Sequence, residues 1–425
     1  MTRAALLLLL PIARPALAGV VPVSTSAQLV AAIDAAVAGD VITLAPGTYA
    51  VAQSLLCDAP GTASAPIVVR AASPGTAEIR FDAVEGFKVS APHWIFEDLV
   101  VRGVCALDDD CEHAFHLVGA ADFTHIRNSR LLDFNAQVKG NGEGVPTVFP
   151  DDVVIEGCEL ANAAPRSTAN PVTPIDVVGG RRWIVRANFI HDHQKAGGDQ
   201  VSYAAFLKGN SRDGLFERNL VICERDHAGG VRLGLSFGGG GSGPDPICED
   251  GVCSPEHQNG TMRNNLIVNC PQDVGIYLNE AFGTRLFHNT LIATTGIDVR
   301  FAASTAEIRG NLVSGSIRNR DGGTSTSSGN LTGVALAQFQ AWFVDPLAAD
   351  LTLVDGTAFV DQGTPLAAVP ADYCANRRDD GSPDLGAVEY DGDGPCATAL
   401  AGGHVDLFSD GLETGGTGAW RGRRP

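Results

Sequence analysis

Two lysines share one local sequence pattern, in which a strand-like segment ends on an aliphatic residue followed by Lys-Gly-Asn. Lys139 stands in "AQVKGN" and Lys208 in "AFLKGN". A lysine can neutralise a carboxylate, and a lysine that has lost its proton can act as a general base. Which chemistry is available depends on whether these lysines are solitary or stand in a row.

Seven segments of the chain align on a central aliphatic residue, which predicts one strand in each of seven repeats. The central residues are Leu117, Val138, Val177, Leu207, Leu233, Leu278 and Val299. Because side chains alternate across a strand, the residues on both sides of this inward column should face outward. One outward flank reads His116, Gln137, Asp176, Phe206, Arg232, Tyr277 and Asp298. The other reads Val118, Lys139, Val178, Lys208, Gly234, Asn279 and Arg300.

The two outward flanks predict a groove that binds an acidic sugar polymer. Strands about 4.8 Å apart would place Lys139 about 10 Å from Lys208, with Arg232 one strand beyond Lys208. Cations suit carboxylates, and the polar residues between them suit sugar hydroxyls. The predicted substrate-binding residues are His116, Gln137, Lys139, Asp176, Tyr277, Asn279, Asp298 and Arg300. The alternative is an ordinary polar surface of a stacked sheet.

A second set of columns predicts the architecture that positions this face. Eight segments align on Asp98, Ser129, Cys158, Asn188, Asn219, Asn265, Asn289 and Asn311. Apolar residues stand three positions earlier in every segment, at Ile95, Ile126, Ile155, Val185, Phe216, Met262, Leu286 and Ile308. Apolar residues also stand two positions later, at Val100, Leu131, Leu160, Ile190, Val221, Ile267, Leu291 and Val313. Short strands at such spacings, bounded by Asn and Gly, predict a solenoid in which Asn forms the tight bends.

The repeat pattern excludes two other repeat architectures. It lacks the Leu-x-x-Leu-x-Leu pattern of leucine-rich repeats, and it is shorter than a propeller blade. The fold class is therefore predicted as all-β, a right-handed parallel β-helix. The chain resembles the β-helix proteins of the pectate lyase-like superfamily over residues 24–390. The segment "STSAQLVAAIDAAVAGD" predicts an N-terminal capping helix, and "DGSPDLGAVEY" resembles a closing segment of that superfamily.

The resemblance also implies an activity. Within the superfamily, the pair Lys208 and Arg232 is similar to the lysine and arginine of the chondroitinase B and alginate lyase family. That resemblance implies β-elimination on a uronate-containing polymer, with Lys208 as the base and Arg232 as the acid. Members of that family bind Ca²⁺ through a Glu-x-Glu pair before the lysine, whereas "GDQVSYAAFLK" offers only Asp199. Ca²⁺ is the expected cofactor if there is one, with Asp176 and Asp199 as the candidate ligands.

Two other functions stay open at this point. The same groove could bind a polysaccharide without cleaving it, as in a surface adhesin. A glycoside hydrolase or epimerase is the second alternative, but a hydrolase needs carboxylates that face each other. Asp176 and Asp298 are the outward candidates, and several strands separate them.

Composition and terminal segments favour an exported bacterial protein. The first 18 residues read as a signal peptide that ends at Ala16-Leu17-Ala18, the β-helix is expected over residues 19–390, and residues 391–425 form a Gly-rich tail, flexible or related to sorting. The net charge of −19 argues against a nucleic-acid partner. No later apolar run is long enough to span a membrane. We expect a secreted, periplasmic or cell-surface monomer whose partner is an acidic polysaccharide.

Ten cysteines in an exported chain predict disulfides. Cys105 and Cys111 bracket one acidic loop, Cys248 and Cys253 bracket another, and Cys374 and Cys396 flank the C-terminal segment.

Two histidine motifs carry weaker signals. "CEHAFH" offers Cys111, His113 and His116 to zinc, but a fourth ligand is missing and a disulfide at Cys111 is favoured. The segment "HDHQK", with His191 and His193, is expected to form a solvated turn.

Overall fold

The structure is a computed structural model that describes residues 19–239 and 248–390. The predicted signal peptide and C-terminal tail lie outside the described residues. The chain winds through three long parallel sheets, named A, B and C here, and visits each sheet once per coil. This arrangement is a parallel β-helix, as predicted.

The strands of each sheet follow in stacking order. Sheet A contains Val20–Val23, Val41–Leu44, Ile67–Ala71, Trp94–Glu97, His125–Arg127, Val154–Glu156, Ile184–Arg186, Leu215–Glu217, Thr261–Arg263, Thr284–Phe287, Thr305–Arg309 and Thr324–Ser328. Sheet B contains Gly47–Val51, Ala77–Phe81, Val100–Gly103, Arg130–Leu132, Glu159–Ala161, Phe189–His191, Leu220–Ile222, Leu266–Cys270, Thr290–Thr294 and Leu312–Val313. Sheet C contains Leu55–Cys57, Glu85–Val89, His113–Val118, Ala136–Asn141, Ile175–Val178, Val201–Lys208, Val231–Phe237, Ile276–Asn279, Gly296–Arg300 and Ser316–Arg320.

The remaining elements are short. A three-stranded parallel sheet contains Ser211–Arg212, His257–Gln258 and Ala281–Phe282, and an antiparallel pair contains Phe343–Asp345 and Asp350–Leu353. The α-helices are Ser26–Asp34 and Leu336–Trp342, and the 3₁₀ turns are Asp108–Asp110 and Pro346–Ala348. No helix among the described residues is long and apolar enough to cross a membrane.

The predicted apolar columns are confirmed for seven of the eight segments. Ile126, Ile155, Val185, Phe216, Met262, Leu286 and Ile308 face one another in sheet A. The first segment was aligned one residue too early, because Phe96 pairs with Ile126 and Val101 pairs with Leu131. Ile95, Asp98 and Val100 therefore do not belong to the columns.

An asparagine ladder joins the coils at the bend between sheets A and B. The ladder consists of Asn188, Asn219, Asn265, Asn289, Asn311 and Asn330. Each side-chain Nδ2 donates to the Oδ1 of the next member at 2.8–3.0 Å. The backbone N–H of each also donates to that same Oδ1, for example Asn265 to Asn289 at 3.1 Å. Asn330, the last member, was not foreseen.

The left-handed backbone at this bend belongs to the residue before each ladder asparagine. Arg218 has φ 54°, Asn264 has φ 54° and His288 has φ 50°. The ladder asparagines themselves are therefore not selected for their tolerance of that conformation, as the sequence had suggested. They are selected because one carboxamide can satisfy buried groups of two coils at once.

A helix near the start of the described residues contributes to the core. The helix Ser26–Asp34 is capped by the Thr25 hydroxyl, which accepts from Gln28 N, and it buries Leu29 and Ile33 in the main core. This confirms the predicted capping helix.

The segment from Val334 to Val388 packs over the outer face of sheet B rather than across the end of the stack. There Phe339, Trp342 and Phe359 contact a second apolar cluster that includes Leu266 and Ile292. Sheet B thus has no solvent-facing groove along these coils.

The outer face of sheet A is occupied by a ladder of alternating charge. Its members in register are Arg70, Glu97, Arg127, Glu156, Arg186, Glu217 and Arg263. Neighbours form ion pairs, such as Arg186 with Glu156 at 2.5 Å and Arg263 with Glu217 at 2.8 Å. Because each glutamate of this ladder lies between two arginines, most of the charge on this face is paired within the sheet.

Disulfides fasten the loops and two neighbouring coils. Cys105–Cys111 and Cys248–Cys253 are bonded as predicted, and Cys223–Cys270 is a third bridge that the sequence did not suggest. Cys374 is disulfide-bonded, and Cys396 lies outside the described residues. Cys57 and Cys158 are free and buried.

We expect Asn265→Ala to lower the free energy of unfolding by about 3 kcal/mol. Asn265 is fully buried, donates to Phe216 O and Asn289 Oδ1, and accepts from the backbone and side chain of Asn219. Urea denaturation measures the change. Asn330→Ala at the half-exposed end of the ladder is the control and should cost only about 1 kcal/mol, because water can replace its bonds. Equal losses at both positions would contradict a role for burial.

Candidate functional site

The outer face of sheet C carries most of the predicted site residues, and His116, Lys139, Lys208 and Arg300 are partly exposed there. In register, its central outward column reads Lys88, His116, Lys139, Asp176, Phe206, Ser236, Tyr277, Asp298 and Arg318. A second column, two residues further along the strands, contains Asn141, Val178, Lys208, Asn279, Arg300 and Arg320. The structure thus brings eight of the ten predicted site residues onto one face, and their role in binding stays a prediction.

Gln137 is one of the two predicted site residues that lie elsewhere. Val138 pairs with Phe115, and Gly140 takes the inward position opposite Leu117, so the strand is shifted by two residues from the predicted alignment. The Trp183 ring fills the space beside Gly140, where a Cβ would lie 2.6 Å from that ring. Gln137 is buried instead, and its Nε2 donates to Ala161 O at 3.1 Å.

The same two-residue shift changes the column to which Lys139 belongs. It belongs to the central column beside Asp176, and not to the column of Lys208. The two lysines are two coils apart, as predicted, but they are also offset by two residues along the strands.

Arg232 is the second misplaced residue. Leu207 pairs with Phe237 and not with Leu233, so Arg232 lies opposite Ser202, four residues before the outward column. Its side chain is 1% exposed. Its guanidinium donates to the carbonyls of Gly229 and Cys223 and to Gln194 Oε1. The predicted position of Arg232 beside Lys208 is wrong, and its donors are already used inside the protein.

The repeat pattern could not reveal this error. The strand Val231–Phe237 reads "VRLGLSF", in which Leu233, Leu235 and Phe237 are all apolar at alternate positions. Each of them is a valid inward residue by pattern. Only the pairing with the neighbouring strand selects Phe237.

Lys208 differs in its surroundings from the other three lysines of the chain. Lys88 pairs with Glu143 at 2.8 Å, Lys139 with Asp176 at 2.7 Å, and Lys195 with Asp199 at 2.8 Å. Among the described residues, no carboxylate lies within 4 Å of the Lys208 ammonium. The sequence contains these four lysines and no others.

The Lys208 ammonium instead lies over an aromatic ring. Its Nζ is 4.6 Å from the ring centroid of Phe206, and a Cβ at Gly239 would lie 3.4 Å from both side chains. Burial lowers the pKa of Lys208, nearby Asp176 raises it, and nearby Lys139 lowers it. A half-buried lysine whose pKa is lowered can lose its proton more readily than a solvated one.

The upstream end of the face contains an interconnected polar group. His116 Nδ1 lies 2.7 Å from Glu85 Oε1, and His116 Nε2 lies 2.7 Å from Asn141 Oδ1. His113 lies beside His116, with ring centroids 5.0 Å apart. Burial lowers the pKa of His113 to about 4, so this imidazole is neutral near pH 7. Glu85, His113 and Asn141 were not among the predicted site residues, although "EGFKV" at 85–89 continues the alternating pattern of sheet C.

The downstream end of the face is rich in arginine. The Tyr277 hydroxyl accepts from Arg300 Nη1 at 3.1 Å, and Arg300 pairs with Asp321 at 2.5 Å. Burial raises the pKa of Tyr277. Asn279 lies next to Arg300 in the second column.

Asp298 lies in the same region but is enclosed. It is 1% exposed and bonds Arg318 and Arg320, each at 2.6 Å.

The two predicted calcium ligands each bind a lysine. Asp176 bonds Lys139, and the exposed Asp199 bonds Lys195. Calcium binding by this chain stays a prediction. Groups of three or more histidine, cysteine or acidic residues with close donor atoms occur, among the described residues, at Glu85, His113 and His116, and at His191, Asp192 and Asp226.

The expectation of a solvated turn at His191 and His193 is wrong. Both side chains are buried, at 5% and 0% exposure. His191 belongs to a sheet B strand and lies between Asp192 and Glu159, at 2.7 and 3.3 Å. His193 Nε2 bonds Leu233 O.

Comparisons with known proteins agree with the observed architecture. Residues 114–313 match the family described as "Right handed beta helix region". The molecule is therefore a right-handed parallel β-helix protein. No curated protein sequence matches the chain.

Three solved structures are also similar to this chain. A pectate lyase, Pel9A, is 16% identical with a TM-score of 0.57 over 84% of this chain and 90% of its own. A GH136 lacto-N-biosidase from Eubacterium ramulus is 11% identical with a TM-score of 0.51 over 75% of this chain and 68% of its own. An alginate lyase from Paenibacillus sp. is 16% identical with a TM-score of 0.43 over 75% of this chain and 96% of its own. At these identities the likeness is one of fold, shared with carbohydrate-active proteins.

We expect Arg232→Met to lower the free energy of unfolding by about 3 kcal/mol, because carbonyl groups of Gly229 and Cys223 would lose their buried donors. Urea denaturation of the purified variant checks this value. Arg300→Met removes an arginine that is about one-third exposed, and it should cost less than about 1 kcal/mol. A stable Arg232→Met variant would show that this side chain is not part of the structural framework.

Proposed function

We propose that the protein binds an acidic, uronate-containing polysaccharide along the outer face of sheet C and cleaves it by β-elimination, with Lys208 as the base. The observation that carries this proposal is the environment of Lys208. It is the one lysine of four for which no described carboxylate lies within 4 Å, and its pKa is lowered.

Further cations lie on the same face, where Lys88, Lys139 and Arg300 are each paired with a carboxylate of the protein that a polyanionic ligand would have to displace. Lys88, Lys139, Lys208 and Arg300 project from the same face at different coils. Lys88, Lys139 and Lys208 follow one another at intervals of two coils, about 10 Å by strand spacing, and Arg300 lies three coils beyond Lys208. A carboxylated polymer that lies along the stack can therefore meet a cation every two to three coils.

The chemical step uses the Lys208 amine. The neutral amine takes the proton from the carbon beside the uronate carboxylate, the C–O bond to the leaving sugar breaks, and a carbon–carbon double bond forms. The leaving oxygen then takes a proton, which the newly formed Lys208 ammonium can return. Lys139, close enough to influence the Lys208 pKa, adds positive charge where the carboxylate becomes electron-rich. Arg232 takes no part in this scheme because its guanidinium is buried and fully engaged.

The comparisons support this proposal at the level of fold. The pectate lyase shares the architecture, and so does the lacto-N-biosidase, which means that the fold alone does not select elimination over hydrolysis. Hydrolysis has less support from the site. Asp176 and Asp298 are four coils apart, about 19 Å by strand spacing, and Asp298 is enclosed by two arginines.

Binding without cleavage is the second candidate. It is favoured by one observation, which is that the residue predicted as the acid is absent from the face. A polysaccharide-binding protein would need the cations and hydroxyl partners of the face but no acid beside Lys208.

We further propose that the protein is exported and acts outside the cytoplasm. The three disulfides among the described residues suit an oxidising compartment. The signal peptide proposed for residues 1–18 would provide the route.

Lys208→Ala should lower the elimination rate about a thousandfold, because the base is removed. The measurement is absorbance of the unsaturated uronate product on pectate, alginate and glycosaminoglycans, with and without Ca²⁺. Lys195→Ala, which removes the ion-paired lysine next to Asp199, is the matched control and should retain the activity. Full activity in Lys208→Ala would exclude this lysine as the base. A wild-type protein that binds these polymers and cleaves none of them would establish the binding function instead.

The elimination rate should rise with pH through the pKa of Lys208, below the ordinary lysine range. The direction of the pKa shift follows from burial, because burial disfavours the charged ammonium. The neutral amine is therefore present at a lower pH than in a solvated lysine. Reductive ¹³C-methylation gives one NMR signal for each of the four lysines, and Lys208→Arg identifies the signal of Lys208. A Lys208 signal that titrates at or above the ordinary lysine value would contradict the proposed environment.

A further inference from the structure

The cluster of Glu85, His113 and His116 has features that the polysaccharide site does not explain. One donor atom from each residue lies within 4.8 Å of the others. The three residues come from two neighbouring coils, since Glu85 pairs with His113 in register. They lie at the upstream end of the sheet C face, about three coils from Lys208.

The two histidines lie close together, with ring centroids 5.0 Å apart. His113 and His116 are three residues apart and would face opposite sides of a regular strand. The backbone N–H groups of Glu112 and His113 both donate to Val84 O, at 2.9 and 3.0 Å. The register beyond this point is unbroken, since His113 pairs with Glu85 and His116 with Lys88, and both histidines are on the partly exposed side of the strand.

The nitrogen orientation of His116 is fixed by its neighbour. Asn141 Nδ2 donates to Gly142 O at 3.0 Å, so Asn141 Oδ1 faces His116 and accepts from Nε2–H. In the neutral imidazole, Nδ1 then carries a lone pair and points at Glu85 Oε1, 2.7 Å away. At this distance the two atoms share a proton in a hydrogen bond, and a bound metal ion would take the place of that proton. An outer hydrogen bond that holds the second imidazole nitrogen is typical of metal-binding histidines.

His113 adds an independent observation. Its Nδ1 is shielded from solvent and has no hydrogen-bond partner. An unsatisfied buried nitrogen is costly, and a coordinated metal ion would satisfy it.

We propose that Glu85, His113 and His116 form a binding site for a divalent transition-metal ion of the zinc class. Two imidazole nitrogens and one carboxylate oxygen are a common donor set for this ion, and they leave a fourth position for water or for a carboxylate of a bound sugar acid. Donor atoms about 2.0–2.2 Å from one ion are about 3.3 Å apart in a tetrahedral site, so small side-chain rotations suffice. Cys111 is not a ligand, because it is bonded to Cys105.

The test is a metal titration of the full chain after removal of metal by a chelator. Zn²⁺ is titrated in competition with a chromogenic chelator, and Co²⁺ is added separately to give a visible four-coordinate spectrum. We expect one ion per chain, with at least tenfold weaker binding in His113→Ala and in Glu85→Gln. Asn141→Ala should weaken binding less, since it only orients His116.

Asp226→Asn is the matched control, because Asp226 belongs to the other metal-like group, with His191 and Asp192. This variant should bind the ion like the wild type. Thermal melting of every variant in chelator separates loss of a ligand from loss of the fold. The proposal fails if the wild type binds no ion, if Glu85→Gln and His113→Ala bind normally, or if Asp226→Asn removes the ion. This readout does not depend on lyase activity, so its failure leaves the proposed function untouched.

Discussion

The register of parallel strands between successive coils is the constraint on which the rest of the structure depends. Every strand of sheets A, B and C must place an inward residue above the inward residue of the coil below, or a buried column is interrupted. The asparagine ladder enforces this register at one bend. Each carboxamide accepts from the backbone and side chain of one coil and donates to the next. A slip of one residue would leave several buried polar groups without partners.

This constraint leaves the outer faces free to diverge, and the three faces have diverged in function. Sheet A carries arginine and glutamate in alternate coils, so these side chains pair with one another along the sheet. Sheet B is covered by the segment from Val334 to Val388, which buries an apolar outer face. The outer columns of sheet C hold cations, amides and a tyrosine, of which Lys88, Lys139, Lys208 and Arg300 are partly exposed. The proposal of a polysaccharide site on sheet C therefore rests on the occupation of the other two faces as much as on its own residues.

Departures from regular strand geometry determine which side chains reach that surface. His113 and His116 lie together on the partly exposed side of their strand, and Gly140 allows Trp183 to occupy an inward position. The long strand Val231–Phe237 buries Arg232 and leaves Ser236 in the outward column. Lys208 stays half-buried against Phe206, and this burial accounts for its lowered pKa. The positions of these side chains therefore depend on local departures from the repeat.

The sequence by itself determined the β-helix, the capping helix, two of the loop disulfides and the placement of eight of ten candidate residues on one face. These features are periodic or local, because apolar columns recur in every coil and cysteines a few residues apart can bond without knowledge of the fold. Only the tertiary structure decided the alignment of Gln137 and Arg232, the role of the ladder asparagines, the cover over sheet B and the cluster of Glu85 with His113 and His116. Alternating apolar residues permit several registers, and glycine at an inward position leaves no signal in such a pattern. Packing and hydrogen bonding between coils about 20 to 46 residues apart in the chain select one register. The sequence of a single strand does not show which register is selected.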